Sequence, residues 1–130
     1  MTTSGFSVLL VDDTKMVADA FARLLQALGH RVQVAYSGQD ALELFRAGKP
    51  DVVISDLTMP GMDGYELARA LRQEPSGQQA VIVVLSGYGQ DQEQEKARGA
   101  GFDYHLTKPA SAADLRQLFS AISENRRATG

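Results

Sequence analysis

The chain has 130 residues, 44% of them apolar and 22% charged, which is the composition of one globular domain with a real core rather than of a disordered polymer. Thirteen basic residues against 16 acidic ones give a net charge of −3, so the basic footprint of a nucleic-acid binder is missing, and the lack of cysteine excludes a disulfide framework or a thiolate metal centre. No apolar run is long enough for a membrane span and none follows the pattern of a secretory leader, so a cytoplasmic protein with no membrane partner is the expectation.

After a polar start over residues 1–5, residues 6–11 form a continuous apolar, β-branched run, the pattern of a strand buried on both faces. Val17, Phe21, Leu24 and Leu28 then recur at helical spacing over 14–28, and Gly29 supplies a stop. Residues 31–36 read as a second strand, with Ser37 as the N-cap of a helix over 40–47 that Gly48 and Pro50 end. A third strand over 51–56 leads into a Gly/Pro-rich loop over 59–64 and a helix over 65–72. The fourth strand, 80–85, is the most apolar. Residues 90–98 are compatible with a helix but carry almost no large apolar side chain, so that helix is expected to dock weakly. A short last strand over 104–107 precedes a closing helix with Leu115, Leu118, Phe119 and Ile122 on one face and a frayed tail from Arg126. The domain is expected over 6–124, with 1–5 and 125–130 as flexible termini.

Strands alternating with helices at these crossover lengths specify an open α/β sheet of five parallel strands with helices on both faces. Ligands of such sheets bind beyond the carboxyl ends of the strands. There the sequence has Asp12 and Asp13 after the first strand, Asp56 at the end of the third, Ser86 after the fourth and Lys108 after the fifth. Taken singly, either of the first two acids reads as a helix cap or solvated turn, Ser86 as a turn residue before Gly87, and Lys108 as a surface lysine before Pro109. Their coincidence on one edge points to a site. Strands lie about 4.8 Å apart, so carboxylates from adjacent first and third strands converge. Two such charges about 4 Å apart repel by about 4 kcal/mol at an effective dielectric near 20, which raises a pKa or demands a cation. Oxygen donors with open positions favour Mg²⁺. A carboxylate beside that metal, an ammonium and a hydroxyl is suited to phosphoryl transfer, with Asp56 as nucleophile.

These residues resemble the receiver domain of two-component response regulators, from Val8 to about Ile122. The matching pieces are Val-Asp-Asp at 11–13, Ile-Ser-Asp-Leu-Thr-Met-Pro-Gly-Met-Asp-Gly at 54–64, Leu-Ser-Gly at 85–87, Ala-Gly-Phe-Asp at 100–103 and Leu-Thr-Lys-Pro at 106–109. The resemblance implies a flavodoxin-like sheet in the order 2-1-3-4-5 and a phosphorelay role in which Asp56 accepts a phosphoryl group from a phosphohistidine donor. That donor is a histidine kinase or a histidine phosphotransfer domain. Mg²⁺ is expected on Asp13, Asp56 and the Thr58 backbone carbonyl, with Asp12 binding directly or through water, while Lys108 pairs with the phosphoryl oxygens and the Ser86 hydroxyl bonds them. In the family an aromatic residue three places before the lysine turns inward when the hydroxyl residue moves. Here His105 holds that place, either as a substitute in the switch or as a plain surface-facing strand residue, and Tyr104 faces the other way. Phosphorylation is then expected to bias the loop after Ser86, the 90–98 helix and the surface that this helix shares with the last strand and last helix.

Three other readings compete. A small phosphatase of the haloacid dehalogenase type also uses an Asp nucleophile, Mg²⁺ and a Lys, but it needs a second Asp two residues on, where this chain has Thr58. A cofactor module of the flavodoxin kind shares the sheet order, yet its phosphate loop is rich in Ser, Thr and Gly, where Asp12-Asp13-Thr14-Lys15 stands here. A degenerate receiver is the last, and the filled functional positions speak against it. The expected function is thus signalling with self-catalysed phosphoryl acceptance rather than turnover, with output through a downstream protein or a covalently linked domain. The stretch from 100 to 109 is similar in style to receivers joined to hybrid histidine kinases, which leaves open a stand-alone protein or a piece of a larger one.

Overall fold

A computed structural model describes residues 5–87 and 101–129. In chain order these form β1 (Ser7–Val11), α1 (Lys15–Ala27), β2 (Arg31–Ala35), α2 (Gly38–Gly48), β3 (Val52–Asp56), α3 (Gly64–Gln73), β4 (Val81–Ser86), β5 (Tyr104–Thr107) and α4 (Ala112–Thr129). The strands make one parallel sheet in the order β2-β1-β3-β4-β5. The helix expected over 90–98 lies outside the described residues. No helix among the described residues is long and apolar enough to cross a membrane.

Both faces of the sheet carry a core, which is why the three inner strands are apolar without alternation. On one face Leu9, Val11, Val53, Ile82 and Val84 pack with Leu42 and Phe45 of α2, Leu67 and Leu71 of α3, and Phe102. On the other, Val8, Leu10, Ile54, Val83 and Leu85 pack with Leu25 of α1 and with Leu115, Leu118, Phe119 and Ile122 of α4. Each fully buried Leu, Ile or Phe contributes about 1.5–3 kcal/mol relative to exposure. Strand β3 is buried along its whole length, whereas the edge strand β2 alternates between exposed and half-buried residues up to the buried Ala35.

One expectation is corrected. The inward stripe of α1 is Ala18, Ala22 and Leu25, with Phe21, Leu24 and Leu28 half-buried beside it, while Val17 is 50% exposed. Small residues on the facing stripe let the helix lie close to the sheet, which turns Val17 outward. The closing helix spans Ala112–Thr129. The remaining boundaries shift by one or two residues, as helix and strand ends do. Helix α2 starts at Gly38 because the Ser37 hydroxyl accepts the Asp40 amide at 3.1 Å.

Two side chains tie the ends of the elements together. Arg72 of α3 donates to the carbonyls of Gly77, Ala80 and Gly101 and to the Asp103 carboxylate, and the same Asp103 oxygen accepts the Ile82 amide at 2.8 Å. At the amino end of the sheet, the His30 ring stacks on Phe119 at a centroid distance of 3.9 Å, and its Nδ1 accepts the Phe6 amide at 3.1 Å.

Candidate functional site

The register of the sheet assembles the site. Val11 pairs with Ser55 across β1 and β3, so Asp12 and Asp56 leave their strands side by side where the strand order reverses. Asp56 pairs with Leu85 and Ser86 with Thr107, which brings the next residues, Ser86 and Lys108, to the same edge. Backbone bonds continue the ladder past the strand ends: Asp12 N–H to Ala35, Leu57 N–H to Leu85, and Lys108 N–H to Ser86 at 2.9 Å. The Lys108–Pro109 peptide is cis.

Carboxylate oxygens of Asp12, Asp13 and Asp56 all lie within 4.8 Å of one another. Asp12 and Asp56 are buried and Asp13 is exposed, so the cluster is open to solvent on one side. Lys108 reaches over it, with Nζ 2.8 Å from Asp56 Oδ1 and 3.8 Å from Asp12 Oδ2. The Asp12 carboxylate also accepts the Thr14 amide at 2.9 Å, so its turn role and its place in the cluster coexist. Burial pushes the Asp12 carboxyl above its ordinary pKa and the charges of Asp56 and Asp13 add to this, against the Thr14 hydrogen bond and the Lys108 ammonium. A donor set made of carboxylate oxygens, open on one side and carrying more negative charge than one lysine offsets, fits a hard divalent cation such as Mg²⁺.

The loop after Asp56 is held against the site by a residue whose role sequence reasoning missed. A Cβ on Gly64 would stand 2.7 Å from the Asp56 carbonyl oxygen and 2.9 Å from Leu57 Cα, so only glycine lets the start of α3 come this close. The Gly64 amide donates to the Leu57 carbonyl at 2.9 Å, and Asp63 and Glu66 close a reciprocal capping box around the turn. The Asp-Gly pair three residues before Glu66 was the available signal. Thr58, whose carbonyl was expected to face a metal, has an exposed side chain in this loop.

Ser86 is buried, and its hydroxyl lies 2.5 Å from His105 Nε2. His105 thus faces the Ser86 hydroxyl rather than solvent alone, and burial holds its pKa below the ordinary value. Tyr104 points to the opposite core, as strand alternation requires. All the sequence-selected side chains except that of Thr58 therefore meet at one sheet edge, joined pairwise by the ion pair of Lys108 and the bond between Ser86 and His105.

The chain is similar to known proteins along most of its length. A profile of the response regulator receiver domain matches residues 8–120. The chain is 35% identical over 115 residues to the response regulator MprA of Mycolicibacterium vanbaalenii, covering 88% of this chain and 49% of that protein. It is 42% identical over 115 residues to the virulence sensor protein BvgS of Bordetella pertussis, covering 85% of this chain and 9% of that one. The chemotaxis protein CheY4 of Vibrio cholerae superposes with a TM-score of 0.85 at 27% identity, over 92% of this chain and 98% of its own. The chain therefore spans about half the length of MprA and a small part of BvgS. The phosphatase and cofactor-module readings are set aside by this match, and a sheet in the order 2-1-3-4-5 whose strand ends gather three aspartates, a serine and a lysine places the chain in the response regulator receiver domain family, with a phosphoacceptor role in two-component signalling.

Proposed function

We propose that Asp56 is the phosphoacceptor and that the transfer is catalysed by the receiver's own residues. The observation that carries this reading is Lys108 Nζ at 2.8 Å from Asp56 Oδ1, inside the acidic cluster. An oxygen of Asp56 forms a bond to phosphorus while the P–N bond of a phosphohistidine breaks, and the departing imidazole takes up a proton. Asp12, Asp13, Asp56 and the Thr58 carbonyl would hold Mg²⁺, which would supply positive charge to oxygens of the moving group. Lys108 moves from its pair with Asp56 to the new phosphoryl oxygens, and the Ser86 hydroxyl donates to another of them. The product is an aspartyl phosphate on the receiver itself, so the domain signals rather than turns over a free substrate.

The donor is a histidine kinase or a histidine phosphotransfer domain in the cytoplasm, a reading supported by similarity to a response regulator and to a sensor protein. Residues 6–124 form the receiver. Output passes through the surface of this domain to a downstream protein or to a linked part of a longer one, with no direct contact to nucleic acid or membrane. The test is phosphorylation by acetyl phosphate or a phosphorylated histidine phosphotransfer domain, read by intact mass. A Mg²⁺-dependent gain of one phosphoryl group in the wild type, lost with EDTA and in Asp56→Asn, is the expected result; equal gain in wild type and variant overturns the assignment.

A further inference from the structure

The Ser86 hydroxyl has one proton to give, and its bond to His105 Nε2 runs in the direction that the ring tautomer allows. In the structure its partner is His105 Nε2 at 2.5 Å, and no other partner for this hydroxyl is found among the described residues. Resting on the phosphoacceptor reading above, a phosphoryl group on Asp56 brings a second acceptor to the same hydroxyl. An oxygen cannot donate its single proton twice. If Ser86 donates to the phosphoryl oxygen, its contact with His105 survives only as a bond that the ring donates.

We propose that His105 is a positioning residue that exchanges hydrogen-bond roles with Ser86 on phosphorylation: in the free domain Ser86 O–H donates to Nε2, and in the phosphorylated domain Nε2–H donates to Ser86 Oγ while Ser86 O–H donates to the phosphoryl group. The ring proton leaves Nδ1 and returns on Nε2 through solvent, so the proton count is unchanged. Three features of the chain support this. His105 is half-buried, which leaves the ring within reach of water for the exchange. Burial disfavours its charged form, so the ring starts neutral and must choose one nitrogen for its proton. The Ser86 carbonyl is fixed by the Lys108 amide at 2.9 Å, so the backbone of Ser86 stays paired to the end of β5 while its hydroxyl turns. A phenylalanine or an aliphatic side chain there has no polar atom with which to report the direction of the Ser86 hydroxyl through a bond. Histidine at 105 therefore couples the site to β5 by hydrogen-bond polarity, and the tautomer of its ring is the state variable.

Imidazole nitrogen shifts separate a protonated from an unprotonated nitrogen, and the chain has only two histidines. His30 is an internal control, because its Nδ1 accepts the Phe6 amide at the far end of the sheet and keeps its proton on Nε2. The experiment records histidine nitrogen spectra at neutral pH with Mg²⁺, before and after adding beryllium fluoride as phosphoryl mimic, with fluorine spectra reporting occupancy of Asp56. The expected result is that His105 Nε2 changes from unprotonated to protonated on loading while His30 stays unchanged. Ser86→Ala loads without this change, Ser86→Thr retains it, and Asp56→Asn shows neither loading nor change. A loaded protein in which His105 Nε2 stays unprotonated, carries its proton before loading, or gains a second ring proton overturns the proposal. Failure of the wild type to load overturns the phosphoacceptor reading itself, and the exchange with it.

Discussion

Replacing Asp12 by Asn removes one charge from the cluster and little else, since the Asn side-chain oxygen can still accept the Thr14 amide that Asp12 accepts at 2.9 Å. At an effective dielectric near 20, repulsion from one carboxylate no more than 4.8 Å away is at least about 3 kcal/mol, and attraction to the Lys108 ammonium 3.8 Å away is about 4 kcal/mol. The exposed Asp13 adds a smaller, screened repulsion. These pair energies nearly cancel, so the cost of burying the charge decides the sign, and Asp12 is only 3% exposed. The raised pKa of Asp12 has burial as its first cause and agrees with that sign. Asp12→Asn is therefore expected to stabilise the metal-free domain by about 1–2 kcal/mol, or roughly 4–8 °C in Tm for a domain of this size. Mg²⁺ acts the opposite way: at a concentration tenfold above Kd it stabilises the wild type by about 1.4 kcal/mol, and the variant by much less. Melting both proteins in EDTA and across a Mg²⁺ titration checks this. A variant that is less stable than wild type in EDTA, or that keeps the full Mg²⁺ increment, would refute the reasoning.

Lys108→Ala leaves Asp12 and Asp56 without their cation; with the lysine 36% exposed and its pairs partly screened, the expected loss in EDTA is about 1 kcal/mol, read as a lower urea midpoint that Mg²⁺ largely restores. Gly64→Ala forces a Cβ against the Asp56 and Leu57 backbone at 2.7–2.9 Å, so it should cost about 1–3 kcal/mol and weaken Mg²⁺ binding as well; unaltered binding would separate this turn from the site. His30 is neutral where its Nδ1 accepts the Phe6 amide, and burial lowers its folded pKa below the ordinary 6.5. Stability is then fully present above pH 6.5 and is lost as pH falls through the lower folded value, a limb that His30→Asn should flatten in denaturation at pH 7 and pH 5. Arg72→Lys cannot reproduce the fork that joins the Gly77, Ala80 and Gly101 carbonyls to Asp103, and about 2–3 kcal/mol of destabilisation is expected, with faster amide exchange at Ile82 and Asp103 as its local sign.

The sheet was legible because parallel strands buried on both faces need uninterrupted apolar runs, and 6–11, 51–56 and 80–85 have them. The site was legible for a related reason: each run stops on a polar residue, and Asp12, Asp56, Ser86 and Lys108 stand at consecutive strand ends. Features set by distance in space rather than by period in sequence were not. Apolar spacing assigned Val17 inward because it follows the hydrophobic residues, whereas the close approach of α1 to the sheet selected the alanines one position on. Arg72 and Asp103 are 31 positions apart, and neither alone distinguishes a staple from a solvated charge. Likewise, His105 and Ser86 were each picked out, but their direct bond depends on the pairing of β4 with β5, which the residue types do not specify.

The proposed phosphoacceptor is Asp56 and no other carboxylate of the cluster. An aspartyl phosphate is an acyl phosphate, which borohydride reduces to homoserine at the modified position, so the measurement is reduction of the Mg²⁺- and acetyl-phosphate-treated protein followed by peptide mass mapping. Homoserine is expected at position 56 alone, with Asp12 and Asp13 unmodified and no homoserine when EDTA is present. Homoserine at either of those residues, or none at 56 in a protein that has gained phosphoryl mass, would contradict it.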